Sequence, residues 1–148
     1  MFKHILVPTD GSNLSLKAAR TAVRLATSFK AKITTIFVIE PYLPPNGAES
    51  MAFYSAYSPE DYELGMRKVA AKALAKVRSA AGTARVKCAE IPVIEAHPWK
   101  AIIEAARANK CDLIVMASHG RRGLAGLLLG SETQKVLTHS KIPVLVCR

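Results

Sequence analysis

Five short apolar runs, each parted from the next by a stretch with helical periodicity, constrain this 148-residue chain more than any other feature. The runs are HILVPT at 4–9, KITTIFVI at 32–39, RVKCAEIPVIE at 85–95, LIVMA at 113–117 and IPVLVC at 142–147. Their length and their Val and Ile content fit strands, and the continuous ones fit strands buried on both faces. Between them, Ala18, Ala19, Ala22, Val23, Ala26 and Phe29 recur at helical spacing, with Arg20 and Arg24 off the stripe. A second stripe runs through Met66, Val69, Ala70, Ala73, Leu74, Val77 and Ala81, with Gly82 as its expected stop. Pro98 opens a third helix with Ile102, Ile103 and Ala106 inward, and a fourth, starting at Ser131, turns Val136 and Leu137 inward. Strand–helix–strand units close right-handed, so five strands alternating with four helices predict an α/β fold: an open, doubly wound parallel sheet with helices on both faces. Pro92 argues that the third strand lies at an edge or a bulge. The length fits a single domain over residues 1–148.

The most informative stretch runs from Cys111 to Thr133. The fourth strand ends abruptly in Ser118-His119-Gly120, a turn signal, and Gly123, Gly126 and Gly130 follow around Leu127-Leu128-Leu129. Ser131 to Gln134 reads as a capping box with Ser131 as N-cap. Backbone N–H groups at the Gly120 corner and at this helix start, with Arg121 and Arg122 between them, suit an anion, most naturally a phosphate chain. The plainer reading is that glycine-containing loops belong to any parallel α/β fold and Ser131 is only a cap.

Several function classes are excluded or weakened. No apolar run approaches the roughly 20 residues of a membrane span, and the sequence goes directly into a strand, so a soluble cytoplasmic protein is expected. Cys88, Cys111 and Cys147 are dispersed without C-x-x-C spacing and are expected as reduced core residues; His4, His97, His119 and His139 fall in separate elements, and no metal site is expected. The formal charge of +10 raises nucleic acid as a partner, but sets such as Lys17, Arg20 and Arg24, or Lys68, Lys72 and Lys76, read as solvated helix faces without interleaved aromatics. Specific nucleic-acid recognition is not expected, whereas nonspecific attraction at low salt is. Residues 40–59 form a long, poorly periodic connection whose Phe53, Tyr54 and Tyr57 either cover a ligand or anchor the loop.

From Ala117 the sequence runs two residues to Gly120 and nine more to Gly130-Ser131. This resembles the nucleotide signature of the universal stress protein family, Gly-x2-Gly-x9-Gly-Ser/Thr, and the likeness extends through ILVPTDGS at 5–12, FVIE at 37–40, SHGRRG at 118–123 and IPVLV at 142–146. The resemblance implies strand order 3-2-1-4-5, with a crevice between strands 1 and 4, and ATP accompanied by Mg2+ on its phosphates. Adenine would lie near Val38, Pro8 and Thr9, with Asp10 facing the ribose or the magnesium. Gly120, Gly130, Ser131, Glu132 and Thr133 would donate to phosphates that Arg122 reaches from outside. Met116, Ala117 and His119 complete the candidate set, His119 reading chiefly as a structural hydrogen-bonder. No catalytic residue set is legible. The function implied is a stress-response sensor signalling through a nucleotide-dependent loop and a homodimer surface on the C-terminal edge strand to an unknown downstream protein. The alternatives are a dimeric adaptor that binds no nucleotide and, further off, a slow ATPase or adenylyl-transfer enzyme. Ala117 and Ala96 stand where the family has glycine. If position 117 needs a left-handed backbone, alanine costs roughly 1–2 kcal/mol; in an ordinary β conformation it adds only a methyl.

Overall fold

The computed structural model describes residues 1–43, 58–120 and 129–148. Among these, strands and helices alternate as β1 (His4–Pro8), α1 (Asn13–Phe29), β2 (Lys32–Ile39), α2 (Pro59–Thr83), β3 (Cys88–Ile94), α3 (Pro98–Ala108), β4 (Leu113–Ala117), α4 (Ser131–His139) and β5 (Val144–Cys147). The strands form one parallel sheet in the order β3-β2-β1-β4-β5. The chain builds outward from β1 through β2 to β3, then crosses back to lay β4 on the other side of β1, so the order reverses between β1 and β4.

Alternation along the strands sorts side chains to two faces. Ile5, Val7, Ile33, Leu113 and Val115 pack against Ala19, Ala22, Val23 and Ala26 of α1 and against Val77 and Ala81 of α2. Farther along that face Phe37 and Ile39 meet Ala70, Ala73 and Leu74 of α2. The opposite face sets Leu6, Ile36, Ile114 and Met116 against Ala101, Ile102 and Ala106 of α3 and Val136 of α4. Alanine on α1 and α2 lets these helices sit close, so their outer residues rise directly from a thin layer. Full burial of each large aliphatic here stabilises by about 1.5–3 kcal/mol.

Polar groups tie the lower rim. The Asp112 carboxylate accepts the amides of Lys3 (2.8 Å) and His4 (3.0 Å), and Nε2 of buried His4 lies 2.8 Å from the Thr34 hydroxyl. The Thr35 hydroxyl donates to the Val7 carbonyl at 2.9 Å, so a polar side chain is accommodated between two buried strands.

Several expectations are corrected. Gly82 does not stop α2: the helix continues to Thr83, and the chain turns at Arg85, which adopts φ 57°. That conformation takes residues 85–87 out of β3, which therefore begins at Cys88. Likewise β5 begins at Val144, because the Ser140 hydroxyl accepts the Ile142 amide and donates to its carbonyl, holding that segment as a turn. Leu137 points outward and is 41% exposed; Val136 alone of the pair is buried. Cys111 is buried as expected, but Cys88 and Cys147 are half-buried. Burial, reinforced for Cys88 by Glu90 and for Cys111 by Asp112, pushes both thiols up to about 11, which keeps them protonated at neutral pH. β3 lies at an edge, where Pro92 is tolerated because one side of the strand carries no ladder.

Candidate functional site

The end of β1 is built by short hydrogen bonds. Thr9 continues the sheet by donating its amide to the Ile36 carbonyl at 2.9 Å, so the chain leaves the sheet only at Asp10. Gly11 takes φ 80°, a conformation that favours glycine. Asp10 Oδ1 accepts the Ser12 amide at 2.9 Å, and the Ser12 hydroxyl caps α1 by accepting the Ser15 amide at 3.1 Å. Beneath them the buried Thr9 hydroxyl lies 3.1 Å from that of Ser15 and accepts the Gly11 amide. Asp10 Oδ1 thus holds the turn into α1.

The end of β4 is built by longer-range contacts. Ala117 pairs with Cys147, and the Ser118 amide donates to the Cys147 carbonyl at 2.8 Å. The chain comes back to this point, where the Gly130 amide donates to the Ser118 carbonyl at 2.7 Å. A Cβ on Gly130 would lie 3.1 Å from His119 Cα, so close backbone approach is what requires glycine there. The buried Thr133 hydroxyl donates to the Ala117 carbonyl at 3.0 Å, stapling α4 to the strand end. Among the described residues the non-glycine positions with positive φ are Lys30, Arg85 and Lys110, so Ala117 carries no left-handed strain. The penalty weighed for its alanine does not arise.

The two corners touch. A Cβ placed on Gly120 would lie 2.7 Å from Asp10 Oδ2 and 3.7 Å from Asp10 Cγ. Asp10 thus faces the Ser12 amide with one oxygen and the Gly120 backbone with the other. The expected juxtaposition of the ends of β1 and β4 is present at atomic contact, where strand order reverses and open α/β sheets hold their ligands.

At α4 the expected capping box is absent. Gly130 is the N-cap, without a side chain to offer, and Ser131 is the exposed first helical residue. The packing of Gly130 on His119 shifts the cap back by one residue. No side-chain cap serves the first-turn amides, which carry the partial positive charge of the helix start. Glu132 is committed elsewhere: Oε2 accepts the Trp99 amide at 2.9 Å, capping α3 from a neighbouring helix, while Oε1 pairs with Lys135. Trp99 in turn stacks on His139 with ring centroids 4.6 Å apart.

The remaining candidates divide. Met116 is 5% exposed and Val38 half-buried, both packed in the cluster beneath α3 and α4, so their side chains serve the core. Pro8 is half-buried at the end of β1. His119 is half-buried with Nδ1 3.1 Å from the Ser118 hydroxyl, in keeping with a structural role. Arg122, with Arg121, lies outside the described residues, as do Phe53, Tyr54 and Tyr57. Ser15 and the Glu132–Trp99 link escaped the sequence reading; the Ser12-x-x-Ser15 spacing offered a signal for the first, and the second depends on a contact between distant segments.

These features define a doubly wound α/β protein in which β1 and β4 end side by side, with Asp10 against the Gly120 backbone, where the strand order reverses. The chain matches the universal stress protein family over residues 1–148 and belongs to that family. It is 35% identical to universal stress protein MJ0531 of Methanocaldococcus jannaschii, over all of this chain and 83% of that one. Among solved structures it resembles protein MJ0577 of the same organism, with 25% identity, a TM-score of 0.77, and 99% of this chain and 96% of that chain covered. A universal stress protein crystallised in complex with cAMP is 28% identical, with a TM-score of 0.67 and coverage of 98% and 95%.

Proposed function

We propose that this protein is a cytoplasmic adenine-nucleotide-binding regulator of the stress response, one domain over residues 1–148, acting as a homodimer through its β5 edge. The observation that carries the reading is the contact of Asp10 with Gly120 at the reversal of strand order. In this reading ATP is the ligand. The phosphates lie over the Gly120 and Gly130 backbone and the first-turn amides of α4 at Ser131, Glu132 and Thr133, where a helix start favours an anion. Asp10 faces the ribose or a magnesium ion carried by the phosphates, and adenine lies by the backbone of Val38 beside Pro8 and Thr9. Ala117 is compatible with this placement because its backbone is ordinary β. Arg122, outside the described residues, is assigned in this reading to the outer phosphates. The cAMP complex of a relative 28% identical supports an adenine nucleotide as the ligand class.

The committed side chains refine the assignment. The Thr133 hydroxyl and the Glu132 carboxylate are engaged with Ala117, Trp99 and Lys135, so these residues serve a ligand through their amides. In this reading the protein acts as a regulator rather than as a rapid hydrolase. Isothermal titration with ATP, ADP, AMP and cAMP, with and without magnesium, tests the reading. Saturable binding that is lost in Gly130→Val supports it. Absence of heat for every nucleotide, with none retained on purification, gives the chain instead to the adaptor class.

A further inference from the structure

The +10 charge does not spread evenly over this fold. Helix α1 carries Lys17, Arg20 and Arg24 and no carboxylate in its 17 residues. Helix α2 carries five lysines and arginines, and its three carboxylates, Glu60, Asp61 and Glu63, all fall in its first five residues. On the other face α3 and α4 balance Lys100, Arg107 and Lys135 against Glu104 and Glu132. One face of the sheet is therefore strongly cationic and the other is close to neutral.

On the cationic face lie two grooves of about 390 and 410 Å³, one against α1 and α2 and the other at the turns where these helices end. The first is rimmed by Lys17, Arg20 and Arg24 over a floor of Val23 and Ala80. The second is rimmed by Lys30, Lys32, Arg85 and Lys87, which follow the ends of the two helices. Neither is lined by an Asp or Glu, and no ion pair of the described residues includes any of these seven cations. From Lys17 to Lys30 the track follows α1 for about 20 Å. Two of its cations, Lys30 and Arg85, hold left-handed backbones (φ 55° and 57°), a position where glycine is the unstrained choice. A basic side chain beside a helix C-terminus is favourable in itself, but that does not account for Lys17, Arg20 and Arg24, which precede the last turn of α1.

We infer that this trough between α1 and α2 is a docking surface for the phosphodiester backbone of a nucleic acid, read without regard to base sequence. A linear run of cations matches a polymer with a repeated charge. Aromatic side chains for base stacking are absent from both groove linings, so the contact is electrostatic and carries no sequence information. An anionic membrane fits less well, because interfacial helices present an apolar face, and the exposed positions of α1 are Asn13, Lys17, Arg20, Arg24, Thr27 and Ser28. An acidic protein segment fits less well because neither groove is lined by a large apolar side chain that would hold an anchoring aromatic. Neither groove is lined by Asp10 or Gly120, and the test does not depend on nucleotide binding.

The test is fluorescence anisotropy of a labelled 30-nucleotide oligo-dT and a mixed-sequence 30-base-pair duplex, titrated with the full chain from 50 to 200 mM NaCl. Arg20→Glu/Arg24→Glu is compared with Lys100→Glu/Arg107→Glu, an equal charge change on the other face, with circular dichroism confirming that both fold. The inference expects affinity independent of sequence. The trough variant should weaken binding at least about tenfold and flatten the log K against log salt slope for oligo-dT by about 1.4, against less than about threefold for the control. Equal weakening by both variants, no binding by the wild type at 50 mM salt, or tighter capture by poly-glutamate or phosphatidylserine vesicles than by either nucleic acid would overturn it.

Discussion

Replacing Gly120 by alanine tests whether the two corners meet as described. The added methyl carbon would stand 2.7 Å from Asp10 Oδ2, and ordinary contact requires the pair to part by about 0.7 Å. Gly120 does not have a left-handed backbone, so the cost falls on this contact and not on dihedral strain. Asp10 cannot swing away without disturbing the 2.9 Å bond its other oxygen accepts from Ser12. Overpacking of this kind with a weakened hydrogen bond costs about 1–3 kcal/mol, which for a chain of this length lowers Tm by roughly 2–12 °C. Pairing the change with Asp10→Ala isolates the contact. In that background the methyl has room, and Gly120→Ala is expected to cost less than about 0.5 kcal/mol, leaving a coupling of about 1–2 kcal/mol. Urea denaturation of the four proteins measures this directly. Equal costs of Gly120→Ala in the two backgrounds would refute the juxtaposition on which the site rests.

Other consequences are measurable by the same means. Thr133→Val leaves the buried Ala117 carbonyl without its 3.0 Å donor and is expected to destabilise by about 1–3 kcal/mol in urea, while Thr133→Ser retains most of the stability. Gly65→Ala and Gly82→Ala lie within α2 with nothing inside 4 Å of the new methyl, so each should stabilise by about 0.5–1 kcal/mol and raise Tm. Burial and the nearby Lys32 charge hold the His4 imidazole below its ordinary value, against the opposing pull of the Asn109 carbonyl and Asp112. The unfolded chain then binds this proton more readily, so His4's contribution is complete above about pH 6.5 and is lost as the pH falls below it. Melting from pH 7.5 to 5 should show this loss, and His4→Gln should flatten it; an unchanged slope in the variant would assign it to other groups.

The architecture was legible because its signals are local. The β-branched runs at 32–39 and 113–117 and the alanine stripes of α1 and α2 each specify their element within one or two turns of chain. Boundaries were lost where a distant contact decides them. Gly82 looks like a stop in isolation, but nothing near it forces a turn, and Arg85 accepts the left-handed position instead. Ser131 resembles a cap until the 2.7 Å bond from Gly130 to the Ser118 carbonyl fixes the helix start one residue earlier. At the site, Gly120 and Gly130 were marked by residue type and spacing, and Asp10 by the family resemblance. The employment of Thr133 and Glu132 was not, because their partners Ala117 and Trp99 are 16 and 33 residues away. The scatter of lysine and arginine in sequence also concealed a single trough, since residues 17–32 and 80–87 meet only when α1 and α2 pack side by side.

Amide NMR of the labelled full-length chain, titrated with magnesium ATP, tests the central claim most directly because it locates the ligand residue by residue. The account predicts saturable shifts at Asp10, Gly11, Gly120 and Gly130 to Thr133, with little change along α1 from Lys17 to Lys30. Shifts confined to the α1–α2 trough, or none at the two corners at saturating nucleotide, would contradict it.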